Sequence, residues 1–192
     1  MRSVTTILIL LNVATYALQA VSGDQLILAF ALWPIGAGFQ PWQLITCAFL
    51  HANLTHIFFN MFGLYMFGQE IERALGSRRF LTLYLVAVLT ASLTQLIVAS
   101  MNTAGVPYPT IGASGGVFGV LLAFGRLFPR RIVTLIFPPI PMPAWLFVTV
   151  YGLIELGSGV FGTQAGVAHF AHLGGMLGAF VLLQRWVRPQ RR

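Results

Sequence analysis

From Val4 to Ser22, and again from Phe80 to Ser100, the chain runs without one charged side chain. A hydrocarbon core of ~30 Å is crossed by roughly 17–25 helical residues. In lipid every backbone N–H and C=O has to be paired internally, so stretches of this kind fold as helices across a bilayer. Further apolar segments fall at 54–68, 114–128, 143–158 and 167–187. The last fits a span easily; the other three are short and draw residues from their flanks. The chain is 57% hydrophobic and 8% charged with mean hydropathy +0.83, against about 25% charged in soluble domains. The expected fold is all-α: one polytopic bundle of six transmembrane helices, a single domain over 1–192.

The net charge of +7 raises the question of a nucleic-acid ligand, and its placement answers it. All the basic residues are arginines: Arg2, Arg73, Arg78, Arg79, Arg126, Arg130, Arg131, Arg185, Arg188, Arg191 and Arg192. With six spans they fall before span 1, between spans 2 and 3, between spans 4 and 5, and after span 6. The loops on the other side carry none, so both ends are expected in the cytoplasm. Arg2, an apolar run and "ALQA" also resemble a cleavable signal peptide. Its removal would leave five spans and spoil that alternation, so the segment is read as the first span. The single Cys47 excludes an intrachain disulfide and reads as a buried apolar cysteine. The Pro-rich "FPPIPMPAW" (137–145) reads as a non-helical connection into span 5. Residues 25–50, with Trp33 and Trp42, read as a structured element in the membrane interface.

Polar groups at membrane depth carry the functional signal. The four histidines lie in "HANLTHIFFN" (51–60) and "AHFAHLGG" (168–175), and a third site is the serine in "IGASGGVFGV" (111–120). Spans 2, 4 and 6 all run from outside to inside, so heights follow from counting back from the first cytoplasmic arginine. Ser114 stands about 18 Å above Arg126, His172 about 20 Å above Arg185, and Asn60 about 20 Å above Arg73, with His56 one turn higher. Three helices thus place hydroxyl, imidazole and amide at one level, roughly 10 Å below the outer surface.

Serine becomes a nucleophile when a base takes its proton, and histidine is the usual base. Ser114 at a helix start has unpaired backbone N–H groups beside it, suited to a developing oxyanion. His56 and Asn60, spaced i, i+4, share one face and could donate to the same oxyanion. Gly112 with Gly116, and Gly115 with Gly119, form small-xxx-small pairs that admit a close neighbouring helix. Span 6 answers with Gly174 and Gly178, and with Gly175 and Ala179. His172 is the expected base; His169, one turn higher, is read as bonding loop backbone at the helix mouth. The only acids are Asp24, Glu70, Glu72 and Glu155. Glu70 and Glu72 are expected to pair with Arg73, Arg78 and Arg79, and Glu155 is placed at the outer end of span 5. A Ser–His dyad without a carboxylate follows.

At these residues the sequence resembles the rhomboid intramembrane serine proteases. "HANLTHIFFN" resembles their second-helix motif, "EIERALGSRRF" (70–80) the end of that helix, "GASGG" (112–116) the nucleophile motif, and "AHLGGMLGA" (171–179) the sixth-helix motif. The one departure is Ala179, where the family usually has glycine. The resemblance implies Ser114 and His172 as catalytic residues, with His56, Asn60 and the Ser114 backbone N–H at the oxyanion. Gly112, Gly115 and Gly175 are implied as supporting residues, with Phe118 packing on the histidine. It implies cleavage of peptide bonds in or near transmembrane helices, with membrane-protein substrates and the bilayer as partners, and neither cofactor, metal nor nucleic acid. Water would reach Ser114 from the outer face through a cavity lined by His51, Asn53, His56 and Asn60. Segments 25–50 and 157–166 are the expected gate and lid. The compact chain favours a bacterial plasma membrane. The competing readings are a non-catalytic helix-binding relative, a transporter, for which no internal repeat speaks, and a metal-dependent hydrolase using the histidines.

Overall fold

A computed structural model of the chain describes residues 3–101, 107–134, 139–162 and 167–186. Arg2, Arg188, Arg191 and Arg192, residues 137–138 of the Pro-rich connection and residues 163–166 of the expected lid lie outside the described residues.

The first apolar run forms α1 (Val4–Ser22), closed where Gly23, at φ 58°, donates its N–H to the Gln19 carbonyl. The interface segment contains two short helices, α2 (Gln25–Phe30) and α3 (Gln43–Thr46), and a 3₁₀ turn at Cys47–Phe49. Span 2 is longer than its apolar core. It comprises α4 (Leu54–Gly63), a π-helical stretch Leu64–Gly68 and α5 (Gln69–Leu75), without an intervening loop. Asn53 starts it by accepting the His56 N–H at 2.8 Å. This is the usual action of an N-cap asparagine. The long run is α6 (Ser77–Met101), followed by α7 (Ser114–Leu127), α8 (Ala144–Phe161) and α9 (His169–Trp186).

By length and composition α1, α6 and α8 can each cross a bilayer, and Gln43–Phe49 with Leu54–Leu75 adds a fourth only if that 100° bend is taken within one span. The connection into α8 is more ordered than a plain loop. Ile132–Thr134 (β1) pairs antiparallel with Pro141–Pro143 (β2) in a two-stranded ribbon. Prolines are tolerated there because a two-stranded ribbon is all edge.

The heart of the bundle is α6, α7 and α9, packed on one another. Lipid is as apolar as leucine, so close van der Waals contact rather than the hydrophobic effect holds such helices together. The glycines make that contact, with partners that differ from the paired faces expected. Gly115 and Gly119 meet Ala91 and Ala87 of α6, and Gly116 meets Tyr84 and Val88. Gly174 and Gly178 meet Thr94 and Thr90 of α6, not α7. The α7–α9 contact rests on Gly175 against the Gly115 carbonyl and on Gly119 near Gly175 and Ala179. Gly112 stands before α7 at φ 128° and belongs to no helix face.

Of the two acids expected to pair with arginines, Glu70 does so and Glu72 departs from expectation. Glu70 lies 3.0 Å from Arg131 and 3.8 Å from Arg73. Glu72 is buried, and its carboxylate is held by neutral donors: the hydroxyls of Ser3, Thr5 and Ser77 and the amides of Val4 and Thr5, at 2.5–2.9 Å. Hydroxyls and amides reach the anion from the start of α1, where an arginine would carry its charge into the bundle. This carboxylate ties α1 to the junction of α5 and α6.

Candidate active site

Three backbone contacts fix the start of α7. Thr110 and Leu32 exchange N–H···O bonds at 2.9 and 3.0 Å, and Gly112 donates to the Cys47 carbonyl at 2.9 Å. The interface segment therefore holds the loop that delivers Ser114. Ser114 is the first residue of the helix, and the first helical bond runs from the Val117 N–H to the Ala113 carbonyl. The N–H groups of Ser114, Gly115 and Gly116 precede it and point out of the helix start, beside the positive end of its dipole.

His172 reaches this point from the first turn of α9. Its Nε2 lies 2.8 Å from Ser114 Oγ. Its ring stacks on Phe118, with centroids 4.3 Å apart and planes within 4°. The equal depths counted on spans 4 and 6 correspond to this contact. Gly115 and Gly175 bring the two backbones close enough to allow it.

Glu155 stands where the sequence reading did not put it, and His169 has a partner that reading did not name. Glu155, on α8, lies with Oε2 2.8 Å from His172 Nδ1 and 2.7 Å from His169 Nδ1. His169 is buried and faces this carboxylate as well. The depth of Glu155 was misjudged because α8 does not stop at 158. It continues to Phe161, which puts Glu155 about 9 Å back from the helix end, within reach of His172. Span 5 also lacks an arginine from which to count. The signal that could have found Glu155 is its isolation: one acid in an otherwise uncharged run from Ala144 to Phe161. An ionisable group in a span is functional by default.

His56 packs against the nucleophile loop. A Cβ on Gly112 would lie 2.8 Å from its Nε2 and Cε1, so only glycine lets the ring approach. The His56 Nδ1 accepts the Ala52 N–H at 3.3 Å. That contact leaves the ring proton on Nε2, facing the site. Asn60 is buried one turn below and donates to the His56 carbonyl at 3.0 Å.

Asn53, His56 and Ser114 line both of two cavities. One, about 510 Å³, also reaches His172, Tyr108 and Gly112. The other, about 800 Å³, runs between α4 and α8, past Phe59, Asn60, Met66, Phe147 and Tyr151. His51 lines neither; it is buried, edge-on to His56 at 5.0 Å. Cys47 is buried with Sγ 3.4 Å from Ser92 Oγ. Among the described residues, Glu155, His169 and His172 could together hold a metal ion, their ligand atoms lying within 4.8 Å of one another.

The contact between Ser114 and His172 joins the starts of α7 and α9. The rhomboid domain model matches residues 38–188, and the chain belongs to the rhomboid family of multi-pass helical membrane proteins. It is 33% identical over 146 residues to rhomboid protease GluP of Bacillus subtilis, covering 72% of this chain and 25% of that protein. It is 35% identical over 163 residues to the mitochondrial RHOMBOID-like protein 12 of Arabidopsis thaliana, covering 77% and 46%. Rhomboid protease GlpG of Yersinia pestis matches at 25% over 179 residues, covering 90% and 59%. The chain thus spans between a quarter and three fifths of these relatives' lengths.

Proposed function

We propose that this chain is an intramembrane serine endopeptidase that cleaves peptide bonds in or near the transmembrane helices of membrane proteins. The observation that carries the reading is the 2.8 Å contact between Ser114 Oγ and His172 Nε2 at the start of α7. Ser114 Oγ bonds to the scissile carbonyl carbon while its proton passes to His172 Nε2. The carbonyl electron pair moves onto oxygen. The Ser114 and neighbouring N–H groups, with His56 Nε2 and the Asn60 amide, stabilise that oxyanion. When the C–N bond breaks, Nε2 returns the proton to the amine. Water then repeats the sequence on the acyl-enzyme and frees Ser114.

A substrate helix has its backbone groups paired and must unwind to expose a carbonyl. The larger cavity, between α4 and α8, has room for such a segment beside Ser114. The arrangement of arginines, with Glu70 bonded to Arg131 and the Arg79 guanidinium 5.7 Å from the Trp186 ring, supports a common cytoplasmic end for these loops. It favours six spans with both termini inside, as in a bacterial plasma membrane.

The test is cleavage of a helix-destabilised transmembrane substrate by purified protein in liposomes. Ser114→Ala and His172→Ala should each abolish cleavage, and a fluorophosphonate should label the parent chain but not Ser114→Ala. The cluster of Glu155, His169 and His172 favours a metal-dependent hydrolase as the second reading. Activity that a chelator removes and Ser114→Ala leaves intact would establish that reading instead.

A further inference from the structure

A carboxylate among apolar helices is costly unless its charge is answered. Glu155 is 8% exposed, and one of its oxygens, Oε2, has an imidazole Nδ1 at 2.7 Å and another at 2.8 Å. An ionised carboxylate oxygen only accepts, and two lone pairs allow two donors. Both distances are those of hydrogen bonds strengthened by charge. With Glu155 ionised, both Nδ1 atoms therefore carry hydrogen. In a neutral imidazole that leaves the lone pair on Nε2, and in His172 the Nε2 is the atom 2.8 Å from Ser114 Oγ.

We propose that Glu155 is a positioning residue of this site, completing a Ser114–His172–Glu155 triad with His169 as the second donor that holds the carboxylate in place. This rests on the serine-protease reading above. The His172 ring is constrained from three directions: Glu155 at Nδ1, Ser114 at Nε2 and Phe118 on its face. The carboxylate selects the Nδ1–H tautomer, the one that leaves Nε2 able to take the serine proton. Once Nε2 has that proton the ring is a cation, and the carboxylate 2.8 Å from Nδ1 becomes its counter-charge in a medium that screens weakly. No proton moves to Glu155 in this scheme; it orients the base and stabilises its charged form.

α8 therefore contributes to the chemistry as well as to the wall of the bundle. Motion of α8 relative to α9 would change the base itself.

The experiment begins on the unaltered chain, reconstituted with ¹⁵N-imidazole histidine. His172, assigned by its loss in His172→Gln, should show a hydrogen on Nδ1 and an unprotonated Nε2. A hydrogen on Nε2 would overturn the proposal without any change at residue 155. Glu155→Gln, Glu155→Asp and Glu155→Ala then follow. Glu155→Gln should lower kcat by on the order of 10²- to 10⁴-fold, with KM within about twofold, mixed His172 tautomers and slower fluorophosphonate labelling. Glu155→Asp, which keeps the charge on a shorter arm, should recover part of kcat. Unchanged kcat and an unchanged tautomer in Glu155→Gln would overturn it. Ser114→Ala run in parallel separates the two readings. Cleavage surviving in Ser114→Ala sinks the serine mechanism, whereas the tautomer of His172 tests the Glu155 contact whether or not the chain cleaves anything.

Discussion

Phe118 gives the imidazole of His172 a flat surface to rest on, one turn into α7 from the serine it serves. The two rings are nearly parallel, so the contact fixes the ring plane and leaves its in-plane rotation to the hydrogen bonds at either edge. Phe118→Leu retains apolar volume without a flat face, and Phe118→Ala retains neither. Both should lower kcat, by about 10-fold for alanine and less for leucine, because catalysis is sensitive to sub-ångström placement of the base. A substrate titration in liposomes checks this: the loss should appear in kcat with KM little altered. Gly112 answers a different demand. Its φ of 128° suits glycine alone, and a side chain there would strike His56. Gly112→Ala should therefore reduce cleavage and fluorophosphonate labelling together, since it disturbs the loop that presents Ser114.

Among the elements, the glycines of α8 and α9 divide by what they face. A Cβ at Gly175 would meet the Gly115 carbonyl, a backbone group that moves only if the helices part. At Gly159 the nearest atoms belong to the Phe170 ring at 3.1 Å, a side chain with room to adjust. Gly175→Ala should lower the unfolding temperature in detergent markedly, corresponding to about 1–3 kcal/mol. Gly159→Ala should cost well under that. If Gly175→Ala folds it should also lose activity, because separating α7 from α9 lengthens the contact between Ser114 and His172. Equal melting temperatures for the two variants would contradict this picture of the α7–α9 contact. Within the π-helical stretch Leu64–Gly68, Gly68 lies against Thr5 of α1, where a Cβ would be 3.0 Å from Thr5 Cγ2.

Across the whole molecule, Glu72 connects the start of α1 to the α5–α6 junction far from the site. Among the described residues five hydrogen bonds answer this buried anion, and hydrogen bonds to a charged group contribute about 1.5–3 kcal/mol each. Glu72→Ala removes the acceptor and leaves the Thr5 hydroxyl buried. It should destabilise the fold by several times a single neutral bond, while molecules still folded at low temperature keep their cleavage rate. Thermal unfolding and specific activity, measured on the same preparation, separate the two effects.

The sequence by itself determined the class of fold and the expectation that Ser114 meets His172, which the 2.8 Å contact matches. Hydropathy and arginine placement follow from the bilayer, which acts along one axis, and a helix of fixed rise converts residue number into position on that axis. What it did not determine lies around that axis. Which helix each glycine faces, that Gly112 belongs to the loop, and that Glu72 is held by hydroxyls all depend on how the helices rotate and pack. The contact between Glu155 and His172 needed both coordinates. Its height depended on where α8 ends, and its direction on α8 turning that one acid toward α9 instead of lipid. Only tertiary structure decides such angles, because lipid presents the same apolar surroundings to every side of a helix and neighbouring side chains do not.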